Sequence, residues 1–268
     1  MKKGLLIYDR VDISVNKWFT AHLTELAGER GIDLQLFVCD GRETRLDGFE
    51  DIDLCINRSR YAELSEFFEK KGVPSFNNSK CIRTANDKWL TYQLGKKADV
   101  PVMETVEITD KDSIPLTYPC VVKSRNGHGG SEVFWVKDKT DLDSLELSNK
   151  SGYIAQAPVS QVGVDVRIYM LGNRPIAGVK RTSDNDFRSN FSLGGKVELF
   201  TPTDDQLEII EKVQKHISAD YAGFDFIPHN GQWILNEIED AVGARMLYSL
   251  TDMDVAKEFI EHITAVIE

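Results

Sequence analysis

Two stretches near the C-terminal end of the chain decide its fold: Gly223-Phe224-Asp225-Phe226-Ile227 and Ile234-Leu235-Asn236-Glu237-Ile238-Glu239-Asp240. Both are mainly apolar, which predicts two short buried strands. Between them, His229-Asn230-Gly231-Gln232 is a turn signal, so the two strands form a hairpin. The first strand carries an aspartate between two phenylalanines, and the second carries two glutamates spaced two residues apart. Because side chains alternate along a strand, these two glutamates point to the same face.

The acids of this hairpin predict a metal site. Carboxylates clustered on one buried face repel each other and raise their own pKa values unless a cation joins them. Ligand sets made only of oxygen suit a hard cation such as Mg²⁺ or Mn²⁺. We therefore predict that Asp225, Glu237 and Glu239 hold a metal ion. The alternative is that Glu239 and Asp240 simply lie on a solvated edge of the sheet.

The composition is that of a globular protein, with 268 residues of which 41% are hydrophobic and 28% are charged. No apolar run approaches the length of a membrane span, and the first residues indicate a strand rather than a signal peptide, so we expect a cytoplasmic protein without membrane contact. The net charge of -11 argues against general nucleic-acid binding. The cysteines lack CxxC spacing, which predicts buried free thiols in a reducing compartment: they are Cys39, Cys55, Cys81 and Cys120.

Residues 1 to about 79 alternate between strand and helix patterns, which predicts a small parallel sheet with helices on its faces. The predicted strands and helices are Leu5–Tyr8, Asn16–Arg30, Leu34–Cys39, Asp53–Asn57, Tyr61–Lys71 and Val73–Asn78. Arg58 and Arg60 follow the C-terminal end of a strand, where open α/β sheets bind ligands. The alternative for these two arginines is ordinary surface charge.

A glycine-rich hairpin follows a predicted helix over residues 80–98, with Asn86 or Asp87 near its start, and a strand over Met103–Ile108. The strand Pro119–Ser124 contains Lys123, the loop reads Arg125-Asn126-Gly127-His128-Gly129-Gly130-Ser131, and the return strand begins at Glu132. Such a loop can place backbone N–H groups against phosphate oxygens, and the lysine beside it favours phosphate contact. The pattern of the P-loop is absent. The alternative is an ordinary flexible hairpin loop.

The strands Tyr153–Val159, Asp165–Leu171 and Pro175–Arg181 precede a segment without clear periodicity, Phe187–Gly195. In this segment two aromatic residues bracket an arginine and an asparagine. An arginine offers two parallel donors to a carboxylate or phosphate, so the segment is typical of a ligand-binding loop. The alternative is a disordered basic loop. Amphipathic helices are predicted over Gln206–Ser218 and Val255–Ile267.

In this order the motifs resemble the ATP-grasp superfamily, and most of all the RimK-like glutamate ligases and their carboxylate–amine ligase relatives. The matching motifs are Asn86-Asp87-Lys88, Val121-Val122-Lys123 with the glycine loop, Gln156 to Val159, Asp165-Val166-Arg167, Arg181, Phe187-Arg188-Ser189-Asn190 with Gly194-Gly195, Gly223-Phe224-Asp225 and Glu237. The resemblance implies an α/β (α+β) ATP-grasp fold. It implies a small parallel α/β domain over residues 1–85, a lid subdomain over 86–157 and a mixed-sheet subdomain with the metal site over 158–268.

The resemblance also implies a role for individual residues. The residues implied to bind the ATP phosphates are Lys88, Lys123 and the loop residues Gly129, Gly130 and Ser131. Adenine would be bound by Gln156, Ala157, Pro158 and Val159, and the ribose by Asp165. The γ-phosphate and the acyl phosphate would be bound by Arg188 with Arg181 and Asn190, and Mg²⁺ (or Mn²⁺) by Asp225, Glu237 and Glu239. The chain departs from the family pattern at Ala157, usually glutamate, at Glu239, usually asparagine, and at Asp240–Arg245, which replaces the usual Pro-Gly.

The activity implied by this resemblance is an ATP-dependent ligation. A carboxylate, expected to belong to an amino acid or peptide, becomes an acyl phosphate, and an amine then attacks it to give an amide, ADP and phosphate. The alternatives are an ATP-grasp kinase and a nucleotide-binding module with low turnover. The implied partners are ATP and these small substrates, without nucleic acid. Relatives of this kind are often dimers or tetramers, so a homo-oligomer stays open.

Overall fold

Three β-sheets organise the chain in the computed structural model. The structure describes residues 1–41, 44–49, 51–110, 114–130, 132–148, 152–183 and 196–268. Within these ranges the chain forms thirteen strands and eight helices, and each sheet is built from one continuous part of the sequence. The described residues contain no helix with both the length and the apolar character that a bilayer crossing requires.

The N-terminal sheet is parallel throughout, with strand order β2-β1-β3-β4, as predicted. Its elements are β1 (Lys2–Asp9), α1 (Arg10–Glu29), β2 (Ile32–Cys39), β3 (Leu54–Asn57), α2 (Ala62–Glu69) and β4 (Ser75–Phe76). Helix α1 begins earlier than predicted because the Asp9 side chain accepts a hydrogen bond from the backbone N–H of Val11 and caps the first turn.

The prediction of a single helix over residues 80–98 was wrong. The chain forms two helices there, α3 (Ser79–Ala85) and α4 (Lys88–Lys97). Asp87 between them has extended backbone angles, and its carboxylate accepts hydrogen bonds from the N–H groups of Trp89 and Leu90. The aspartate therefore ends one helix and caps the next. This break places Lys88 at the first position of α4.

The second sheet is antiparallel, with strand order β5-β8-β6-β7. Its elements are β5 (Thr105–Ile108), β6 (Cys120–Ser124), β7 (Val133–Val136), α5 (Lys139–Ser144) and β8 (Tyr153–Gln156). The predicted hairpin of β6 and β7 is confirmed, and it presents the glycine-rich loop at one end of the sheet.

The third sheet is antiparallel, with strand order β11-β10-β9-β12-β13. Its strands and the C-terminal helices are β9 (Val164–Leu171), β10 (Arg174–Thr182), β11 (Lys196–Phe200), α6 (Asp204–Ile217), β12 (Tyr221–His229), β13 (Gln232–Glu239), α7 (Arg245–Leu250) and α8 (Val255–Ile267). The predicted acid hairpin is β12 and β13. Asn230 and Gly231 have φ angles of 51° and 79°, as a two-residue turn that follows the twist of the strands requires. Strand β11 and helix α7 had not been predicted.

The N-terminal and C-terminal parts of the chain share one hydrophobic core. Leu6 and Leu23 from the parallel sheet and α1 are buried in the same cluster as Tyr221 and Phe259 from β12 and α8. A second cluster fills the space between the third sheet and α6, as Val213 and Phe224 show. The three sheets fall one each into residues 1–85, 86–157 and 158–268. The division into three domains stays a prediction.

Candidate active site

A cavity of about 520 Å³ receives side chains from all three sheets. This volume lies in the range of ligand-binding clefts. Of the predicted site residues, those that line it are Lys88, Lys123, Gly129, Gly130, Gln156, Ala157, Val159, Asp165, Arg181, Asp225, Glu237 and Glu239. Pro158 is not among the lining residues. Ser131, Arg188 and Asn190 lie outside the described residues, so the predicted binding loop Phe187–Gly195 does too.

Two lysines from the second sheet region converge on one carboxylate of the acid hairpin. The Nζ atoms of Lys88 and Lys123 lie 3.9 and 4.0 Å from Oε1 of Glu237. Lys123 also donates to Oε1 of Gln156 at 2.8 Å and to Oδ1 of Asn236 at 3.2 Å. Burial lowers the pKa of Lys123, while Glu237 opposes this shift. Two ammonium groups that both lie near this carboxylate can bind the negative charge of phosphate groups.

The glycine loop covers this point and is tied to it. Lys88 donates its Nζ proton to the backbone oxygen of Gly127 at 2.6 Å. Gly129 and Gly130 have φ angles of 67° and 77°, which β-carbon-bearing residues rarely adopt. His128 also lines the cavity, although sequence analysis had not singled it out. Burial lowers the pKa of His128 to about 4, with help from the neighbouring cations, so its imidazole is neutral at pH 7.

The acids of the hairpin meet arginines from the two neighbouring strands. Asp225 accepts hydrogen bonds from Nε and Nη2 of Arg167, both at 2.7 Å, and from Nη2 of Arg181 at 2.8 Å. Arg181 also binds both carboxylate oxygens of Asp165, at 2.5 and 2.7 Å, and Arg167 forms an ion pair with Glu239. Burial alone would raise the pKa of Asp225, but the two guanidinium groups outweigh it and lower this pKa.

We call this cluster, made of Asp165, Arg167, Arg181, Asp225 and Glu239, the arginine ladder. The strand register explains it, because Asp225 lies opposite Arg167 and Arg181 lies opposite Asp165. The side chain of Glu239 is 44% exposed, whereas the side chains of the other four members are between 5% and 11% exposed. The carboxylate of Asp165 is bonded to Arg181. The contact of Asp165 with the ribose stays a prediction.

The predicted metal ligands share a wall of the cavity, and their oxygen atoms suit a hard cation in donor chemistry. Their present partners differ, because Asp225 and Glu239 are paired with arginines. Over the described residues, Glu237 is the acid of this set that has no arginine partner. Among the residues that the structure describes, no group of three or more acids, histidines or cysteines is arranged to hold a metal ion. The three metal assignments stay predictions.

Two residues that had a surface alternative are buried. Asp240 is 3% exposed, its Oδ1 accepts from Nδ2 of Asn86 at 2.8 Å, and burial raises its pKa to about 7. Arg58 is 4% exposed and donates to the backbone oxygen of Val242 at 2.7 Å. Its guanidinium lies 5.1 Å from the centre of the Tyr221 ring. The solvated edge proposed for Asp240 and the surface charge proposed for Arg58 were therefore wrong.

Relatives of known sequence extend over most of the chain. A protein of Mycoplasma genitalium whose function is uncharacterized is 28% identical over 267 residues, which cover 98% of this chain and 92% of that protein. A probable alpha-L-glutamate ligase of Haemophilus influenzae is 29% identical over 208 residues, covering 74% of this chain and 69% of the relative.

Solved structures show the same fold. The RimK domain protein ATP-grasp from Sphaerobacter thermophilus superimposes with a TM-score of 0.72 at 18% identity, covering 97% of this chain and 99% of that chain. D-alanine–D-alanine ligase from Bacillus anthracis, in complex with ATP, gives a TM-score of 0.75 at 13% identity and covers 100% of this chain and 97% of its own. The family described as the RimK-like ATP-grasp domain matches residues 85–263, well over half of the sequence. The chain therefore belongs to the RimK-like ATP-grasp family of ATP-dependent carboxylate–amine ligases.

Proposed function

We propose that this ligase activates a carboxylate of an amino acid or a peptide as an acyl phosphate and joins it to an amine. One observation carries the proposal: the Nζ atoms of Lys88 and Lys123 lie 3.9 and 4.0 Å from the same carboxylate oxygen of Glu237, beneath a glycine-rich loop. The relative from Haemophilus influenzae, a probable alpha-L-glutamate ligase, makes L-glutamate the first substrate to test.

The chemistry requires ATP because a carboxylate is a poor acyl donor. Its oxygen attacks the γ-phosphorus, the bond from the γ-phosphorus to the bridging oxygen of ADP breaks, and an acyl phosphate forms. The nitrogen of an amine then attacks the acyl carbon, phosphate leaves with the bonding electrons, and the nitrogen loses its extra protons to give an amide. In such reactions the protein acts mainly by positioning the groups and by stabilising negative charge.

The nucleotide would lie along the second sheet. Gln156, Ala157 and Val159 line the cavity next to Lys123, so their backbone can face adenine. Lys88 and Lys123 would neutralise the phosphates. The N–H groups of Gly129 and Gly130 would contact the phosphate oxygens and exclude water, which would otherwise hydrolyse the acyl phosphate.

A divalent cation would be held by Glu237, together with Glu239 and Asp225. When bound, it would supply positive charge to the phosphate oxygens. Arg181 is held on both sides by carboxylates and is 4% exposed, so it would contribute a fixed positive charge in the cavity wall. Arg188 and Asn190 keep their predicted roles at the γ-phosphate and the acyl phosphate.

The test is phosphate release from ATP and Mg²⁺ with pairs of amino acids and small carboxylates, combined with product masses. A mass equal to the two substrates minus water, with an equal amount of phosphate, supports the ligase. A phosphorylated product without ligation supports a kinase instead. ATP binding without phosphate release in any pair, including peptides, supports a binding module. Lys123→Met serves as the control for phosphate released by a contaminating enzyme.

A further inference from the structure

The cavity has a second group of polar side chains, apart from those assigned to ATP and the metal. Asp12 from α1, Arg60 after β3 and Arg245 at the first position of α7 all line it. They come from the N-terminal sheet region and from α7, whereas the lysines and glycines assigned to the ATP phosphates come from α4, β6 and the glycine loop. This part of the wall is therefore available for a substrate other than ATP.

The arginines that line the cavity differ in what they bind. Arg58 donates to Val242, Arg60 pairs with Asp12 at 2.9 Å, and the two arginines of the ladder pair with acids. Arg245 is exposed, and over the described part of the chain its side chain forms no ion pair or hydrogen bond. Unlike the buried Arg58, it is an exposed guanidinium in this wall, and an anionic partner can bind it without breaking a bond that the described residues make.

The backbone that carries Arg245 is held firmly. Its neighbours Met246 and Leu247 are buried in the core that the N-terminal and C-terminal parts share, and the N–H of Tyr248 donates to the oxygen of Ala244 at 3.1 Å. A binding group on a fixed element loses little order when a ligand arrives. A guanidinium can bind a carboxylate through two parallel hydrogen bonds, which a lysine cannot reproduce.

We infer that Arg245 binds a carboxylate of the substrate that does not react, namely the α-carboxylate of a free amino acid or the C-terminal carboxylate of a peptide. This inference rests on the proposed function, because it concerns the same cavity and the same ligation. It makes Arg245 a specificity-determining residue that selects a substrate with a free carboxylate in addition to the groups that react.

The experiment compares wild type, Arg245→Gln and Arg245→Lys in phosphate release with L-glutamate, the α-amide of L-glutamate and the dipeptide Ala-Glu. Loss of a hydrogen-bonded ion pair should raise the KM for the carboxylate substrate about tenfold to a hundredfold in Arg245→Gln. The KM for the α-amide, the KM for ATP and kcat should change little. Arg245→Lys should recover part of the loss. Whichever of L-glutamate and Ala-Glu has the lower wild-type KM identifies the source of the carboxylate.

Arg10→Gln is the matched control, because Arg10 is an exposed arginine that pairs with Asp40 and does not line the cavity. Equal effects of Arg245→Gln on L-glutamate and on its α-amide, or no effect on either, would overturn the inference. Calorimetric titration of L-glutamate and Ala-Glu in the presence of ADP and Mg²⁺ separates this result from failure of the proposed function. Wild-type binding that Arg245→Gln weakens supports the inference even without turnover, and absence of wild-type binding to both probes refutes it.

Discussion

Replacing Asp225 by asparagine separates a structural role of this residue from a role as a metal ligand. The substitution keeps the size of the side chain but removes the negative charge that Arg167 and Arg181 share. Asp225 is 5% exposed and Arg181 is 4% exposed, so water cannot replace the lost charge. The arginine ladder predicts that Asp225→Asn destabilises the protein even when no metal or nucleotide is present.

The magnitude follows from the partners that are left. Removing one member of a buried ion pair costs about 3–5 kcal/mol, because the other charge stays buried without compensation. Arg167 keeps its ion pair with Glu239, and Arg181 keeps its two bonds with Asp165. We therefore expect the lower end of that range, about 3 kcal/mol. Glu237→Gln is the matched control, since the nearest cations lie 3.9 and 4.0 Å from Glu237, and we expect it to cost less than about 1 kcal/mol.

The assay is urea unfolding at pH 7 in EDTA without nucleotide, followed by the same measurement at lower pH. The pKa of Asp225 is lowered in the folded protein, so its stabilisation is present above the unfolded pKa of about 3.9 and is lost as the pH falls below it. The difference between wild type and Asp225→Asn should therefore shrink in acid. Equal and small losses for Asp225→Asn and Glu237→Gln at pH 7 would refute the structural role of Asp225.

Three further predictions concern single residues of the cavity. Asp240→Asn should become more favourable relative to wild type by about 2–3 kcal/mol between pH 5 and pH 8 in urea unfolding. Burial raises the pKa of Asp240 to about 7, so between the unfolded pKa of about 3.9 and about 7 the unfolded chain gives up this proton while the folded protein keeps it, and the wild-type fold loses stability as the pH rises through this window; parallel pH curves would contradict this. Lys123→Met should weaken ATP binding about tenfold or more in calorimetry, and an unchanged ATP affinity would remove Lys123 from the phosphate site. The free energy of unfolding of this variant should stay equal or rise, because burial lowers the pKa of Lys123 and makes its charge costly in the folded protein. Glu237→Gln should weaken Mn²⁺ binding about tenfold or more in electron paramagnetic resonance titrations with ADP present, and an unchanged affinity would exclude Glu237 as a ligand.

Features that depend on neighbouring residues were predictable from the sequence. The turn between β12 and β13 needs two residues with positive φ, and Asn230-Gly231 supplies them directly. The parallel N-terminal sheet follows in the same way from alternating strands and helices. The break between α3 and α4 had a local signal as well, since Asp87 is a strong N-cap, but the surrounding apolar pattern continued through it.

Features that depend on contacts across the fold were not predictable. Asp240 follows a strand that also carries Glu237 and Glu239, which is typical of a solvated edge, yet it is buried against Asn86, 154 residues away in sequence. Arg58 follows β3 like a surface arginine, but it is buried and donates a hydrogen bond to the backbone oxygen of Val242, 184 residues away in sequence. Burial of these two side chains follows from packing between the N-terminal and C-terminal parts, and no local pattern encodes that packing.

The arginine ladder shows why the acids of the hairpin admitted a metal interpretation before their neighbours were known. Within the hairpin, Asp225 faces Glu237 across the strands, and two carboxylates in register require a positive charge. The order β10-β9-β12-β13 supplies part of that charge from the protein itself, because it brings Arg167 and Arg181 beside Asp225. Among the described residues, Glu237 has no arginine partner and instead lies near the two lysines assigned to phosphate. A divalent cation would therefore add positive charge at Glu237, where the phosphates of ATP would also lie, beside the arginines that already hold Asp225.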